Sequence, residues 1–152
     1  AVATPVSPAP APAPQVVSAK AKLEKSENPR TGSDARAVVT LTIQDGWHIY
    51  ANEPGSPVVK PTQVELEPVE GITLARVEYP PGEVQALDAS GSERVQVYEK
   101  KATVTLTLRV APGAKVGPAH VRLKVRFQAC NDRACLAPAT VSVPLELTIA
   151  GP

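Results

Sequence analysis

The chain has 152 residues, with 16 Lys and Arg against 15 Asp and Glu, and only 3% of its residues are aromatic. This length predicts one domain with a short appendage. The balanced charge and the few aromatic side chains argue against a basic or base-stacking surface for nucleic acid. No run of 18 apolar residues occurs, so the sequence contains no predicted membrane span.

The first residues are rich in proline and alanine. Residues 1–14 contain five Pro and five Ala, a composition that is extended, solvated and unable to build a core. We therefore expect a disordered leader or linker over residues 1–15 and a folded domain over residues 16–150. Such spacers often follow an export signal, which predicts an extracytoplasmic location; a linker inside a longer chain is the alternative. The start at Ala1 and the absence of methionine fit a processed or excised segment.

From Val16 onward, alternating apolar and polar residues predict short strands and almost no helix. The segments Asn52–Pro61 and Val84–Ser92 are predicted to be irregular, and Gly117 and Pro118 to form a turn. About seven to nine strands at this spacing predict an all-β, immunoglobulin-like two-sheet sandwich, with a small barrel as the alternative. The predicted strands are Val16–Lys25, Ala37–Ile43, Trp47–Ala51, Val64–Leu66, Ile72–Tyr79, Arg94–Tyr98, Thr103–Val110, His120–Phe127 and Val141–Ile149.

The only two cysteines, Cys130 and Cys135, lie between the last two predicted strands. These strands form a predicted hairpin, and antiparallel neighbours have Cα separations of about 4.5–5.5 Å. A disulfide needs about 4.4–6.8 Å. The spacing therefore predicts a pair that can form and break a bond at the tip of a hairpin.

The alternation on the two strands constrains how the cysteines pair. Inward residues are odd-numbered on both strands, from Val121 on one and from Val141 on the other, so paired residue numbers should sum to an even value. The numbers of Cys130 and Cys135 sum to an odd value. Either a one-residue β-bulge between the ladder and the cysteines or a diagonal bond between the cysteines would resolve this mismatch, and we predict a break in the pairing within Leu136–Ala139.

Two interpretations of the cysteine pair remain open from the residues alone. A structural staple that closes a loop of about six residues contributes roughly 2 kcal/mol in the chain-entropy estimate. A redox pair is favoured by Arg122, Lys124 and Arg126, a predicted positive face beside Cys130, because positive charge stabilises a thiolate. The same three residues also fit an ordinary solvated strand face.

No cofactor or metal is predicted. Two cysteines together with His48 and His120 lack the second ligand pair of a zinc site. The alternatives to a redox domain are an exported binding or accessory module with a structural hairpin disulfide, and an oxidant sensor.

Two segments resemble a known family. The cysteine segment, Phe127 to Leu145, resembles the N-terminal periplasmic domain of the thiol:disulfide interchange protein DsbD. Ile43–Tyr50 is similar to an early strand of that family with the pattern Asp-Gly-aromatic-x-x-Tyr. The resemblance covers roughly residues 18–149.

The resemblance implies an immunoglobulin-like domain of a protein-disulfide reductase system. Such a domain accepts electrons from a thioredoxin-like reductase domain and passes them to periplasmic disulfide isomerases or cytochrome-maturation thioredoxins through transient mixed disulfides. It implies that Cys130 and Cys135 are the redox pair and that Cys135 is the attacking thiol.

The resemblance also implies residues that flank the pair. Tyr50 and Phe127 correspond to flanking aromatic residues, and His48 stands where the family has another aromatic residue. The family's cap loop corresponds to Ala86–Ser92, in which Leu87 is the candidate shield and Asp88 matches an acidic residue. The loop between the cysteines is one residue shorter than is usual in the family.

Overall fold

The computed structural model describes residues 16–25, 28–56, 59–86 and 94–152. The predicted leader over residues 1–15 and most of the predicted cap loop lie outside these residues. The described residues contain strands and no helix. Within them, no segment is a helix long and apolar enough to cross a membrane.

The described residues form eleven strands, named here in chain order. Their bounds are β1 Val17–Leu23, β2 Asp34–Ile43, β3 His48–Tyr50, β4 Gln63–Leu66, β5 Ile72–Glu78, β6 Glu83–Ala86, β7 Arg94–Glu99, β8 Lys101–Val110, β9 Gly117–Phe127, β10 Ala129–Cys130 and β11 Ala139–Ile149.

The strands pair antiparallel in three sheets, of which two form a sandwich. One sheet has the order β1-β2-β8-β5, and a second has the order β11-β9-β4. Alternate residues of these sheets point inward into one core, which includes Leu41, Leu106, Leu123 and Leu145. Strands with one buried and one solvated face show this alternation. The predicted sandwich is therefore confirmed.

The third sheet, with the order β10-β3-β7-β6, has two different faces. Ile49, Tyr98 and Ala129 belong to the main core. Their chain neighbours Tyr50, Val97 and Cys130 belong to a separate small cluster with Val59 and Val95. Because successive side chains of a strand point to opposite faces, this sheet packs its inner face on the sandwich and carries the cysteine on its outer face.

Two local predictions are wrong. Residues 84–86 of the segment predicted to be irregular belong to β6, an edge strand ordered by its pairing with β7. Gly117 and Pro118 are not a turn, because they pair with Ile149 and Thr148 at the start of β9. Proline is tolerated there, since β4 reaches only Leu123–Arg126 and leaves this part of β9 without a second neighbour.

Packing around β9 generates a stability prediction. Val125 is completely buried and pairs with Val64 on one side and Val141 on the other. The substitution Val125→Ala removes two methyl groups and leaves a cavity, so we expect a loss of about 2–3 kcal/mol in the free energy of unfolding by urea titration. Val84→Ala is the matched control, because Val84 is 63% exposed. Equal losses in the two variants would contradict this description of the core.

Candidate redox site

The cysteines lie beyond the end of the regular β9–β11 ladder. The ladder ends at the pair Phe127↔Ala139, and Cys130 pairs with Cys135 in an isolated bridge. Two residues separate Phe127 from Cys130, whereas three residues, 136–138, separate Cys135 from Ala139. Because of this extra residue, Cys130 and Cys135 pair although their numbers sum to an odd value. The predicted break in pairing is confirmed.

The tip of the hairpin is held by a short set of hydrogen bonds. Asn131 N–H donates to Ala134 O, and Leu136 N–H donates to Ala129 O. The side-chain oxygen of Asn131 accepts from the backbone N–H groups of Arg133 and Ala134, as in an Asx turn. These bonds bracket the cysteines as a non-hydrogen-bonded pair, the arrangement in which facing side chains are closest.

Cys130 and Cys135 form a disulfide, with their Cα atoms 4.0 Å apart. The two sulfur-bearing residues differ in their access to solvent. Cys130 is 2% exposed, whereas Cys135 is an exposed residue at the hairpin tip. Cys135 is therefore the more solvent-accessible residue of the pair, and Cys130 is covered.

The hydroxyl of Tyr50 contacts both sulfurs. It lies 3.3 Å from Cys130 Sγ and 3.9 Å from Cys135 Sγ. Burial raises the pKa of Tyr50 above its ordinary value, so the hydroxyl keeps its proton at neutral pH and can donate a hydrogen bond. A hydrogen bond to the charged form of a group favours that form, so this hydroxyl is placed to stabilise a thiolate at Cys130.

The backbone of Tyr50 is fixed by Thr62, which is completely buried. The Tyr50 carbonyl accepts hydrogen bonds from Thr62 Oγ1 at 2.7 Å and from Thr62 N at 3.0 Å. Asn52 is also bonded to Thr62, because its Nδ2 donates a hydrogen bond to Thr62 O. Nearby, Tyr98 Oη donates a hydrogen bond to Pro80 O. The backbone of Tyr50 is therefore held in place independently of the disulfide.

His48 completes a row of side chains on the same face of the third sheet. It lies directly opposite Cys130 on β10 and directly opposite Glu99 on β7. Its ring also meets the Tyr50 ring edge-on, with centroids 5.9 Å apart and an interplanar angle of 77°. The outer face thus carries Glu99, His48, Cys130 and Cys135 in register across neighbouring strands.

The electrostatics of His48 reflect burial opposed by two carboxylates. Burial lowers the pKa of His48, while the negative charges of Glu99 and Asp132 act in the opposite direction. The burial effect is larger, so the imidazole is neutral at pH 7 and can accept a proton.

The positive face predicted beside Cys130 is partly neutralised. Lys124 Nζ lies 3.9 Å from Glu67, and Arg126 lies 3.5 Å from Glu65 on the neighbouring β4. These exposed ion pairs are screened by solvent, and they offset the charge of two of the three predicted residues, while Arg122 contacts the Ser142 hydroxyl. The hydroxyl of Tyr50 is the closer source of thiolate stabilisation.

The structure places the other predicted flanking residues as follows. Phe127 packs in the main core and not in the cluster of Cys130. Leu87 and Asp88, the candidate cap residues, lie outside the described residues. Among the residues that are described, no group of three or more His, Cys, Asp and Glu side chains could hold a metal ion.

Sequence reasoning missed Thr62 and Glu99. Both reach the site through pairing between residues far apart in the chain. For Glu99, the alternation of β7 gave a signal, because Glu99 shares the parity of Val95 and Val97. For Thr62, which lies between the predicted loop Asn52–Pro61 and the predicted strand Val64–Leu66, no signal was present.

Comparison with known proteins identifies the family. The sequence profile described as the N-terminal domain of the thiol:disulfide interchange protein DsbD matches residues 13–147. The chain therefore belongs to this family, and the disulfide between Cys130 and Cys135 is consistent with a thiol–disulfide exchange relay. The search of curated protein sequences gave no match.

Two solved structures support the fold. The DsbD N-terminal domain of Neisseria meningitidis in the reduced form has a TM-score of 0.52 and 18% identity, and the alignment covers 78% of this chain and 82% of that one. The N-terminal periplasmic domain of ScsB from Proteus mirabilis has a TM-score of 0.53 and 16% identity, with 87% and 45% covered. The chain thus spans less than half of the ScsB chain, and both likenesses concern the fold.

The contact between Tyr50 and Cys130 generates a prediction about thiolate formation. In a Cys135→Ser background, which leaves Cys130 as the lone thiol, adding Tyr50→Phe removes the hydroxyl and keeps the ring. A hydrogen bond to a charged group contributes about 1.5 kcal/mol, or roughly tenfold in the thiolate-to-thiol ratio. We therefore expect thiolate absorbance at 240 nm to develop about one pH unit higher.

Tyr79→Phe in the same background is the matched control. The Tyr79 hydroxyl accepts a hydrogen bond from Val64 N, away from the sulfurs, so its loss should leave the titration of Cys130 unchanged. If Tyr50→Phe and Tyr79→Phe give the same curve, the hydroxyl of Tyr50 does not stabilise the thiolate.

Proposed function

We propose that this domain relays electrons by thiol–disulfide exchange through Cys130 and Cys135. It accepts them from a thioredoxin-like reductase domain and passes them to extracytoplasmic proteins that contain disulfides. The observation that carries the proposal is the contrast between an exposed Cys135 and a Cys130 that is 2% exposed in one disulfide at a hairpin tip. This contrast gives each sulfur a separate role.

The first half of the cycle reduces the domain. A thiolate of the reductase attacks Cys135 Sγ, the bond to Cys130 breaks, and Cys130 leaves as a thiolate facing the Tyr50 hydroxyl at 3.3 Å. The second thiol of the reductase then attacks the mixed disulfide and releases the domain as a dithiol. Two electrons enter the domain, and solvent supplies the two protons.

The second half of the cycle reduces the downstream protein. The exposed Cys135 attacks its disulfide, and Cys130 then attacks Cys135 Sγ to release the reduced product. The short hairpin keeps Cys130 next to Cys135, so this second attack is intramolecular and fast. The rate of thiol–disulfide exchange depends on the exposure of the reacting sulfur and on the thiolate fraction of the attacking cysteine. The greater exposure of Cys135 therefore favours it as the sulfur that reacts with partner proteins.

The partners and location follow the same proposal. Thioredoxin-like domains, disulfide isomerases and cytochrome-maturation thioredoxins are the proposed partners, as reductase on one side and acceptors on the other. The proposed compartment is extracytoplasmic, and the periplasmic origin of the ScsB domain supports it. The activity belongs to the class of protein-disulfide reductases, with this domain as the relay.

The division of roles between the sulfurs is tested by trapping. The oxidised domain is mixed with a thioredoxin variant whose resolving cysteine is replaced by serine, and the adduct is digested and mapped by mass spectrometry. We expect one mixed disulfide, located at Cys135. The Cys130→Ser, Cys135→Ser double variant is the control and should form no adduct. An adduct located at Cys130, or no adduct with the unmodified domain, would refute the proposal.

A further inference from the structure

We infer that His48 is the base that removes the proton from Cys130 when Cys130 resolves a mixed disulfide at Cys135. This inference rests on the proposed relay function and assigns a role to a residue within it. It is carried by the row of side chains formed by Cys130, His48 and Glu99.

The register places His48 within reach of Cys130. The two residues are direct partners on neighbouring antiparallel strands, and Cβ atoms of such partners lie about 4.5–5.5 Å apart on one face. Tyr50, two residues further along β3, approaches the same sulfur with its hydroxyl at 3.3 Å. Cys130 Sγ thus has a hydrogen-bond donor at 3.3 Å, and His48 is the cross-strand neighbour of Cys130 on the same face.

Cys130 needs such a base because of its burial. Only the thiolate attacks a disulfide, and the thiol of a residue that is 2% exposed has little water to receive its proton. The Tyr50 hydroxyl keeps its own proton and cannot serve. His48 is half-buried, so it can take the proton from the thiol and later release it to solvent.

The groups around His48 suit a base that works near neutral pH. Glu99 faces it from β7 and Asp132 from the hairpin tip, and both favour the protonated imidazole. Asp45 and Lys100 line a small cavity of about 180 Å³ together with His48, Glu99 and Asp132. Burial outweighs the two carboxylates and lowers the pKa of His48, so the imidazole is in its neutral, proton-accepting form at pH 7.

The resolving step balances as follows. The Cys130 proton moves to a ring nitrogen of His48, and the Cys130 thiolate attacks Cys135 Sγ. The Cys130–Cys135 bond forms, and the bond from Cys135 to the partner sulfur breaks. The partner leaves with the electron pair as a thiolate, which is protonated by solvent, and His48 returns its proton to solvent. The domain is oxidised by two electrons and the partner is reduced.

The test uses 5,5′-dithiobis(2-nitrobenzoate) as the probe and follows nitrothiobenzoate release at 412 nm by stopped flow. Attack by Cys135 of the reduced domain releases the first equivalent at a rate that depends on probe concentration. Attack by Cys130 on the resulting mixed disulfide releases the second equivalent at a concentration-independent rate. The rate of this second phase is measured from pH 5 to pH 8.5.

The expected results distinguish a base from a structural residue. In the unmodified domain the second phase should be level near pH 7 and fall below an inflection at a pH lower than about 6.5, where His48 becomes protonated. His48→Phe should slow this phase at least tenfold at pH 7, and its rate should rise steadily with pH. The first phase should not change, and His120→Phe, at the exposed second histidine, should match the unmodified domain.

A second variant keeps the test decisive if His48→Phe folds poorly. Glu99→Gln removes a carboxylate that raises the pKa of His48, so the inflection of the second phase should move to lower pH while the level rate is retained. An unchanged pH profile in both His48→Phe and Glu99→Gln would overturn the role of His48. No second phase in the unmodified domain would instead overturn the proposed relay function.

Discussion

One extra residue between Cys135 and Ala139 is the constraint on which this site depends. Along an uninterrupted ladder, alternation would place Cys130 on the outer face and Cys135 on the face that carries Val141 and Val143, because side chains alternate strictly. The third residue in the segment 136–138 turns Cys135 to the face of Cys130. The disulfide, its exposure and its contact with Tyr50 all follow from this change of face.

The third sheet then gives the two sulfurs different surroundings. Its inner face, with Ile49 and Ala129, packs in the core of the sandwich, and this packing supports the outer face that carries Cys130. On this outer face Cys130 contacts Tyr50, whereas Cys135 lies on the exposed hairpin. A covered sulfur with a hydrogen-bond donor suits a leaving and resolving thiol, and an exposed sulfur suits exchange with another protein. The fold thus gives the two sulfurs of one short loop different environments.

Much of this organisation could be predicted from the sequence, because it depends on local alternation. The strands around Leu41, Leu106 and Leu123, and the break before Ala139, follow from residue parity alone. Strand β6 was missed because Val84 is exposed and the strand exists only through pairing with β7. Thr62 and Glu99 were missed for the same reason, since both reach the site through contacts between distant segments. The resemblance, not the residue pattern, indicated Tyr50.

The reduction potential of the Cys130–Cys135 couple tests the central claim most directly, namely that this bond is made and broken in use. It can be measured by equilibrating the domain with thioredoxin or with glutathione buffers and quantifying the oxidised fraction. The account predicts a potential in the exchangeable range of thioredoxin-family proteins, about −120 to −270 mV. A value below about −300 mV, typical of structural disulfides in secreted proteins, would contradict it.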